Sequence, residues 1–359
     1  MGVWLSRPTP EGTSQLFLTG ATGYVGGQAI HAIASTIPSS QVTITCLVRS
    51  IEKGKPVQKA YPEHVRIVVG DLDDVEIIEK ECQKSQVVLQ LADTKHMPAA
   101  RAIVKGLTAQ PKDSQPCYLQ MSGASMFVFP EIESDRYGEP PSTIWNDLNG
   151  VSRILSIIRA HPSSRELDNY ILSLEDSTNI RTGLIVGPLV YGRGEGPGNQ
   201  RSIQAPNIAR KTIEDGEGFR FRRGLNSWSN VHIKDLGDLF ALLIKSALAL
   251  HGTSTSTSTS TPATSWNETG VYLPANGDMT FGKLCEAIAR EAHAQGLIEK
   301  DAIDRTIDVD EADAAMSGGA IFWGTNAVYK SSRAQVLLDW RPSAPSLEDS
   351  IAEMVRQEG

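Results

Sequence analysis

Directly after a short apolar run, Leu16 to Thr19, the chain reads Thr-Gly-Ala-Thr-Gly-Tyr-Val-Gly-Gly from Thr19 to Gly27, and a helical pattern covers Gly26 to Ala34. Gly20, Gly23 and Gly26 thus fall three apart where a strand turns into a helix. The first permits the tight turn, the second lets backbone N–H groups approach a pyrophosphate without a Cβ in the way, and the third lets the helix lie close on the strand. Glycines by themselves punctuate many turns. Their place between strand and helix, opening an alternating chain, makes dinucleotide binding the expectation.

The alternation continues. Val42 to Val48, Val65 to Val69, Gln86 to Leu91 and Cys117 to Met121 read as buried strands, and Val75 to Cys82 and Ala99 to Thr108 as helices between them. A helix from about Ile144 to Arg159 and a strand from Thr182 to Val186 follow, and then the rhythm breaks in the glycine-rich stretch Gly187 to Gly198. The pattern predicts an α/β fold, a Rossmann-type doubly wound parallel sheet with a smaller carboxyl-terminal part for substrate. Residues 12–190, with 229–275 returning, are assigned to the dinucleotide-binding domain, and 191–228 with 276–359 to the substrate domain. Residues 252–265, dominated by Ser-Thr repeats, read as a disordered insertion, because such a composition has no apolar surface to bury. Helical periodicity returns at Phe281 to Ala294, and Ser346 reads as the N-cap of a terminal helix, Leu347 to Val355.

Two positions refine the cofactor. Asp71, in Gly70-Asp71-Leu72 after the third strand, can accept from an adenine amino group. At the end of the second strand stand Arg49 and Ser50, where a ribose-binding carboxylate is otherwise expected. A planar cation there suits a 2′-phosphate, so NADP(H) is favoured over NAD(H). The alternative reading of Arg49 is a surface arginine at a strand end.

A net charge of −8 disfavours nucleic acid and anionic lipid as partners, leaving a small-molecule substrate. Cys46, Cys82, Cys117 and Cys285 lie far apart with no C-x-x-C pair, so neither a metal site nor a disulfide framework is expected, and a reduced, cytoplasmic setting is read. No apolar run is long enough to span a membrane. Met1 to Ser6 fits a loose acylation pattern, but with no polybasic segment behind it an ordinary lead-in to the first strand is the reading.

Thr19 to Gly27, Gly70-Asp71-Leu72, Leu91-Ala92, Ser122, Pro188 to Gly192 and Val231-His-Ile-Lys-Asp235 together resemble the serial landmarks of the extended short-chain dehydrogenase/reductases, the NAD-dependent epimerase/dehydratase group. The segments Tyr191 to Pro197 and Trp228 to Asp235, and the Ser-Thr insertion, are similar to its atypical, largely fungal members. The resemblance implies a cofactor set of Gly20, Thr22, Gly23, Tyr24, Val25, Gly26, Arg49, Ser50, Asp71, Leu72, Leu91, Ala92 and Pro188. It also implies a Tyr-x-x-x-Lys pair for proton transfer, and this the chain lacks. The residues four positions after its eight tyrosines are Gln28, Val65, Ser122, Pro141, Leu174, Glu195, Asn276 and Arg333. Trp145 and Asn149 align with the missing pair.

Other groups are then candidates for the chemistry: Ser122 or Ser125 at the end of the fifth strand, Lys95 and His96 after the fourth, and Tyr191 in the Pro188 to Gly192 turn. Each also reads as an ordinary turn, loop or packing residue. Tyr137 is a further phenol, and Phe219-Arg-Phe-Arg-Arg223 could meet an anionic substrate or be a strand with one solvated face. His232 and Asp235 read as structural, with Asp235 capping the long helix that follows. The expected function is an NADP(H)-binding oxidoreductase of the epimerase/dehydratase group, acting on a small, secondary-type metabolite with a non-standard acid/base. The alternatives are a redox-neutral isomerase, cyclase or lyase on the same fold, and a non-enzymatic dinucleotide sensor.

Overall fold

All seven residues of Val42–Val48 are buried, as a central parallel strand requires when helices cover both of its faces. In the computed structural model, which describes residues 12–176, 178–251 and 266–359, this strand belongs to a strict alternation. It runs β1 (Ser14–Thr19), α1 (Tyr24–Thr36), β2 (Val42–Val48), α2 (Ile51–Ala60), β3 (Val65–Val69), α3 (Val75–Cys82), β4 (Val87–Gln90), α4 (Met97–Thr108) and β5 (Cys117–Gly123). Then come α5 (Phe129–Glu133), β6 (Trp145–Asn146), α6 (Val151–Ala160), α7 (Glu166–Ser173), β7 (Arg181–Gly187) and β8 (Leu189–Tyr191). The chain continues with α8 (Gln204–Asp215), β9 (Phe219–Phe221), β10 (Ser227–His232), α9 (Ile233–Ala249), β11 (Val271–Tyr272), β12 (Gly277–Thr280) and α10 (Phe281–Ala294). It closes with β13 (Arg305–Ile307), α11 (Val309–Ala315), α12 (Gly319–Gly324), β14 (Tyr329–Lys330), α13 (Arg333–Leu338) and α14 (Leu347–Glu358).

Seven strands form one sheet in the order β3-β2-β1-β4-β5-β7-β11, every neighbouring pair parallel. This is the expected doubly wound arrangement, and its order reverses between β1 and β4, where a crevice opens at the carboxyl ends. Apolar side chains fill both faces: Leu16, Ile30 and Phe240 belong to the cluster under α1 and α9, and Phe17, Ile103 and Tyr118 to that under α3, α4 and α7. The two covering helices α1 and α9 touch closely, because a Cβ on Gly237 would come within 2.9 Å of Gln28 Cγ. A third cluster joins β8, β9, α8, α10 and α14. A smaller sheet, β12-β10-β8, leads from the large one into that region.

Two sequence expectations need correction. The helix expected from Ile144 begins only at Val151, since Asn146 Oδ1 accepts from Leu148 N and Asn149 N, both at 2.9 Å, and turns the chain instead. The cap of α9 is His232, whose Nδ1 accepts from Lys234 N at 3.1 Å, whereas Asp235 Oδ1 accepts from Ser343 N and Ala344 N. The Ser-Thr insertion and the acylation pattern at the amino terminus lie outside the described residues. All four cysteines are free and buried. Among the described residues no helix is long and apolar enough to cross a membrane, and no cluster of His, Cys, Asp or Glu has the makings of a metal site.

Ser346 does cap α14, and reciprocally: its Oγ accepts from Asp349 N at 3.1 Å while Asp349 Oδ2 accepts from Ser346 N at 3.3 Å. Ser346→Ala is expected to lower stability by about 1 kcal/mol, seen as a reduced urea midpoint at unchanged m-value.

Candidate functional site

A cleft of about 960 Å³ lies along the carboxyl ends of β1 to β5, β7 and β8. Its floor is the glycine turn. Gly20 has φ +83°, and a Cβ there would lie 2.9 Å from Ala92 N; a Cβ on Gly26 would lie 2.1 Å from Gly20 O. These two glycines hold α1 against β1 and β4. Gly23 is different. A Cβ on it would meet nothing nearer than Gly20 O at 3.2 Å, so its other side faces open space in the cleft. It is the N-cap of α1, with no side-chain acceptor and no acid in the first turn. The first N–H groups of α1 are thus left for an anion, and a nicotinamide dinucleotide's diphosphate fits that cradle. Thr19 secures the turn from below, donating its hydroxyl to Gln90 Oε1 and accepting from Leu91 N and Ala92 N at 3.3 Å each.

At one end of the cleft, past β2 and β3, stand Arg49, Asp71 and Leu72. Arg49 is exposed and has no hydrogen-bond or ion-pair partner among the described residues. Asp71 Oδ1 accepts from Asp73 N at 2.9 Å, which fixes its carboxylate at the rim. Ser50 does not line the cleft; it caps α2 through Lys53 N. The other twelve expected cofactor contacts all do.

Residues 192–201 fold over the first turns of α1. Tyr24 Oη donates to Gly192 O at 2.6 Å, Asn199 N donates to Thr22 O at 3.0 Å, and Gly196 lies directly on Gly27. Glu195 holds the strap: it accepts from Lys234 Nζ at 2.8 Å and Gln28 Nε2 at 3.2 Å, and His31 Nε2 stands 3.4 Å away. The Lys234 hydrogen bond keeps its carboxyl below the ordinary carboxylate range. Burial raises the Tyr24 phenol far above its usual value.

At the other end, past β5 and β7, Ser125 lines the cleft, as Lys95 does after β4, while Ser122, His96 and Tyr191 do not. Ser125 Oγ accepts from Arg165 Nη2 at 2.7 Å, and Arg165 Nη1 pairs with Asp168 at 3.2 Å. Both partners are buried, and burial pushes the Asp168 carboxyl up against the pull of Arg165. Ser122 lies behind, buried against Asp168. Lys95 is exposed at the rim, its N–H donating to Asp93 Oδ1. His96 caps α4 through Ala99 N, with its Nε2 3.2 Å from Asp73. Tyr191 is buried, donates to Pro345 O at 2.9 Å, and meets His232 edge-on.

Trp145 is packed in β6, stacked on Phe127 at 4.6 Å, and Asn149 closes the turn before α6, so neither reaches the cleft. Tyr137 lies under the Arg222 guanidinium, away from the cleft. The Phe219 to Arg223 stretch takes the plainer of its two readings. Phe219 and Phe221 are buried, while Arg222 pairs with Asp135 and Asp308 and Arg223 with Glu139. Sequence reasoning missed Arg165, which reaches Ser125 from 40 residues away, its partner Asp168, and the apolar group Ile203, Trp228 and Phe322 that also lines the cleft. The i, i+3 spacing of Arg165 and Asp168 was the only local signal for them.

The family model described as NmrA-like matches residues 12–107. An oxidase of an Acremonium species, ucsJ, is 32% identical over 349 residues, spanning 96% of this chain and 98% of that protein. A dTDP-glucose 4,6-dehydratase from Bacillus anthracis, solved in complex with NAD, superposes with a TM-score of 0.61 at 15% identity over 96% of each chain. A UDP-N-acetylglucosamine 4-epimerase from Methanobrevibacter ruminantium gives 0.60 at 14% identity, over 96% of this chain and 97% of that one. The two structural likenesses concern the fold.

Proposed function

The chain belongs to the extended short-chain dehydrogenase/reductase family, in its NmrA-like and epimerase/dehydratase group, and from that premise we propose an oxidoreductase that uses NADP(H) on a small molecule. The observation that carries the reading is one cleft holding both an uncapped helix N-terminus at Gly23 and an uncommitted guanidinium at Arg49. The first-turn N–H groups around Thr22 to Val25 would hold the diphosphate, Arg49 the 2′-phosphate and Asp71 the adenine amino group. Leu91, Ala92 and Pro188 would flank the rest. Bound there, the dinucleotide supplies a carbon that gives or takes a hydride.

This chain's own residues handle the substrate oxygen and its proton. Because Ser125 Oγ already accepts from Arg165, its hydrogen is left to be donated into the cleft, and a cationic donor behind a hydroxyl makes it the stronger donor. Asp168 holds Arg165 in place. Lys95, at the rim, is the group with freedom to carry a proton to solvent. One observation favours a redox-neutral reaction as the second reading: Tyr24, the one tyrosine among the described lining residues, has its hydroxyl committed to Gly192 O. Absorbance change at the reduced nicotinamide band during turnover decides against that reading.

NADPH at a hundred times its dissociation constant is expected to stabilise the protein by roughly 2.7 kcal/mol. Arg49→Ala should weaken NADPH roughly ten- to a hundredfold and leave NADH nearly unchanged. Titrating wild type and variant with each nucleotide checks both statements. A parallel loss for the two nucleotides overturns the NADP(H) preference, and a melting temperature unmoved by either overturns the cofactor reading.

A further inference from the structure

The sheet order places the two ends of the cleft apart: Arg49 and Asp71 follow β2 and β3, while Gly123 to Ser125 and Gly187 to Val190 follow β5 and β7, beyond the β1–β4 reversal. A dinucleotide lying on the glycine turn occupies the first end and the middle. What remains for substrate is bounded by Ile203, Trp228, Phe322, Pro188 and Val190, with Ser125 as its polar group. Trp228 and Phe322 have ring centroids 5.9 Å apart, and the Trp228 indole N–H is already spent on Thr325 O at 3.1 Å. Gln204, whose side chain also borders this space, spends its Nε2 on Phe322 O at 2.6 Å. Ile203 is 60% exposed, an isoleucine left without packing at the mouth of the cleft.

The cation beside this apolar group is Arg201, and four of its five N–H donors are taken. Nε and Nη2 bind the Glu358 carboxylate at 2.5 and 2.8 Å, Nη2 also reaches Asn207 Oδ1 at 3.0 Å, and Nη1 donates to Ser202 O at 3.1 Å. A phosphate or carboxylate entering beside Ile203, Trp228 and Phe322 would give up its water, and Arg201, already neutralised by Glu358, would not repay it. An apolar body would instead cover Ile203, Trp228 and Phe322 and lose nothing polar.

We propose that the substrate is an uncharged, largely apolar small molecule that presents one hydrogen-bond acceptor to Ser125, and that phosphorylated or carboxylated molecules are excluded. The proposal rests on the dinucleotide reading for which part of the cleft is free. It is tested with Nile red, a neutral fluorescent probe, and UDP-glucose, a charged one, on full-length protein saturated with NADPH. Nile red is expected to bind with a single saturating site, and millimolar UDP-glucose to leave its fluorescence unchanged. Ile203→Asp should weaken the dye at least tenfold, while Ile203→Leu keeps wild-type affinity, because a surface position tolerates both without loss of fold. Displacement of the dye by UDP-glucose, or equal dye affinity in Ile203→Asp and wild type, overturns the proposal. NADPH binding, followed by its own fluorescence in the same samples, fails separately if the cofactor reading is the one at fault.

Discussion

Asp147→Ala is expected to remove most of the protein's stability. The carboxylate is fully buried between β6 and α6, and it accepts from Ser332 N and Arg333 N at 2.8 Å each and from Leu273 N at 3.0 Å. Arg333 Nε closes the set by donating to Asp147 O at 3.0 Å. One side chain thus joins the turn after β6, the residue after β11 and the first turn of α13. Alanine strands three N–H groups with no acceptor, at roughly 1 to 3 kcal/mol each. A total on the order of 5 kcal/mol approaches the whole stability of many proteins. Asp147→Asn, which keeps one acceptor oxygen, should lose about half as much. Urea unfolding of the two variants is the measurement, and a wild-type midpoint in Asp147→Ala would show the three bonds to be dispensable.

Gly26→Ala should cost on the order of 3 kcal/mol and abolish nucleotide binding. An alanine within a helix is ordinarily about 1 kcal/mol better than glycine. Here the added carbon would sit 2.1 Å from Gly20 O and 2.6 Å from Gly20 C, so α1 must move off the turn, and sterics outweigh propensity. Gly23→Ala provides the contrast. Its new methyl group meets nothing closer than 3.2 Å within the protein and points into the cleft, so the melting temperature of the nucleotide-free protein should hold while nucleotide affinity falls. Equal thermal stability for Gly26→Ala and wild type would contradict the packing argument.

The parts of the molecule that a reader of the sequence can find are those whose cause is local. Val42–Val48 announces itself as a run of β-branched and apolar residues, Val65–Val69 as an apolar run broken only by Arg66, and Phe281–Ala294 by its helical period. The glycine turn is legible because each glycine answers to a neighbour within a few residues or on the next strand. The stretch around Ile144 misleads, since apolar periodicity there is overruled by Asn146, whose side chain takes the Leu148 and Asn149 N–H groups a helix would need, and by Asp147, which is tied instead to Leu273, Ser332 and Arg333. Alternating Phe and Arg at 219–223 looks the same whether the arginines face a ligand or a row of acids, and only the fold brings Asp135, Glu139 and Asp308 opposite them. Arg165 with Ser125 and Arg201 with Glu358 are meetings across 40 and 157 residues, which no pattern in the chain encodes.

The contact of α9 with α1 and the pairing of β11 with β7 also set a schedule for assembly. As the chain leaves the ribosome, the glycine turn emerges early, yet the side of α1 that carries Gln28 and Ala32 stays uncovered until Gly237 and the rest of α9 arrive some 200 residues later. Such distant pairings are slow to form, and the apolar surface they leave open meanwhile is a target for chaperones or for other nascent chains. A fragment cut after residue 190 would retain every strand from β1 to β7 and still aggregate, because the helix that covers α1 has not yet been made.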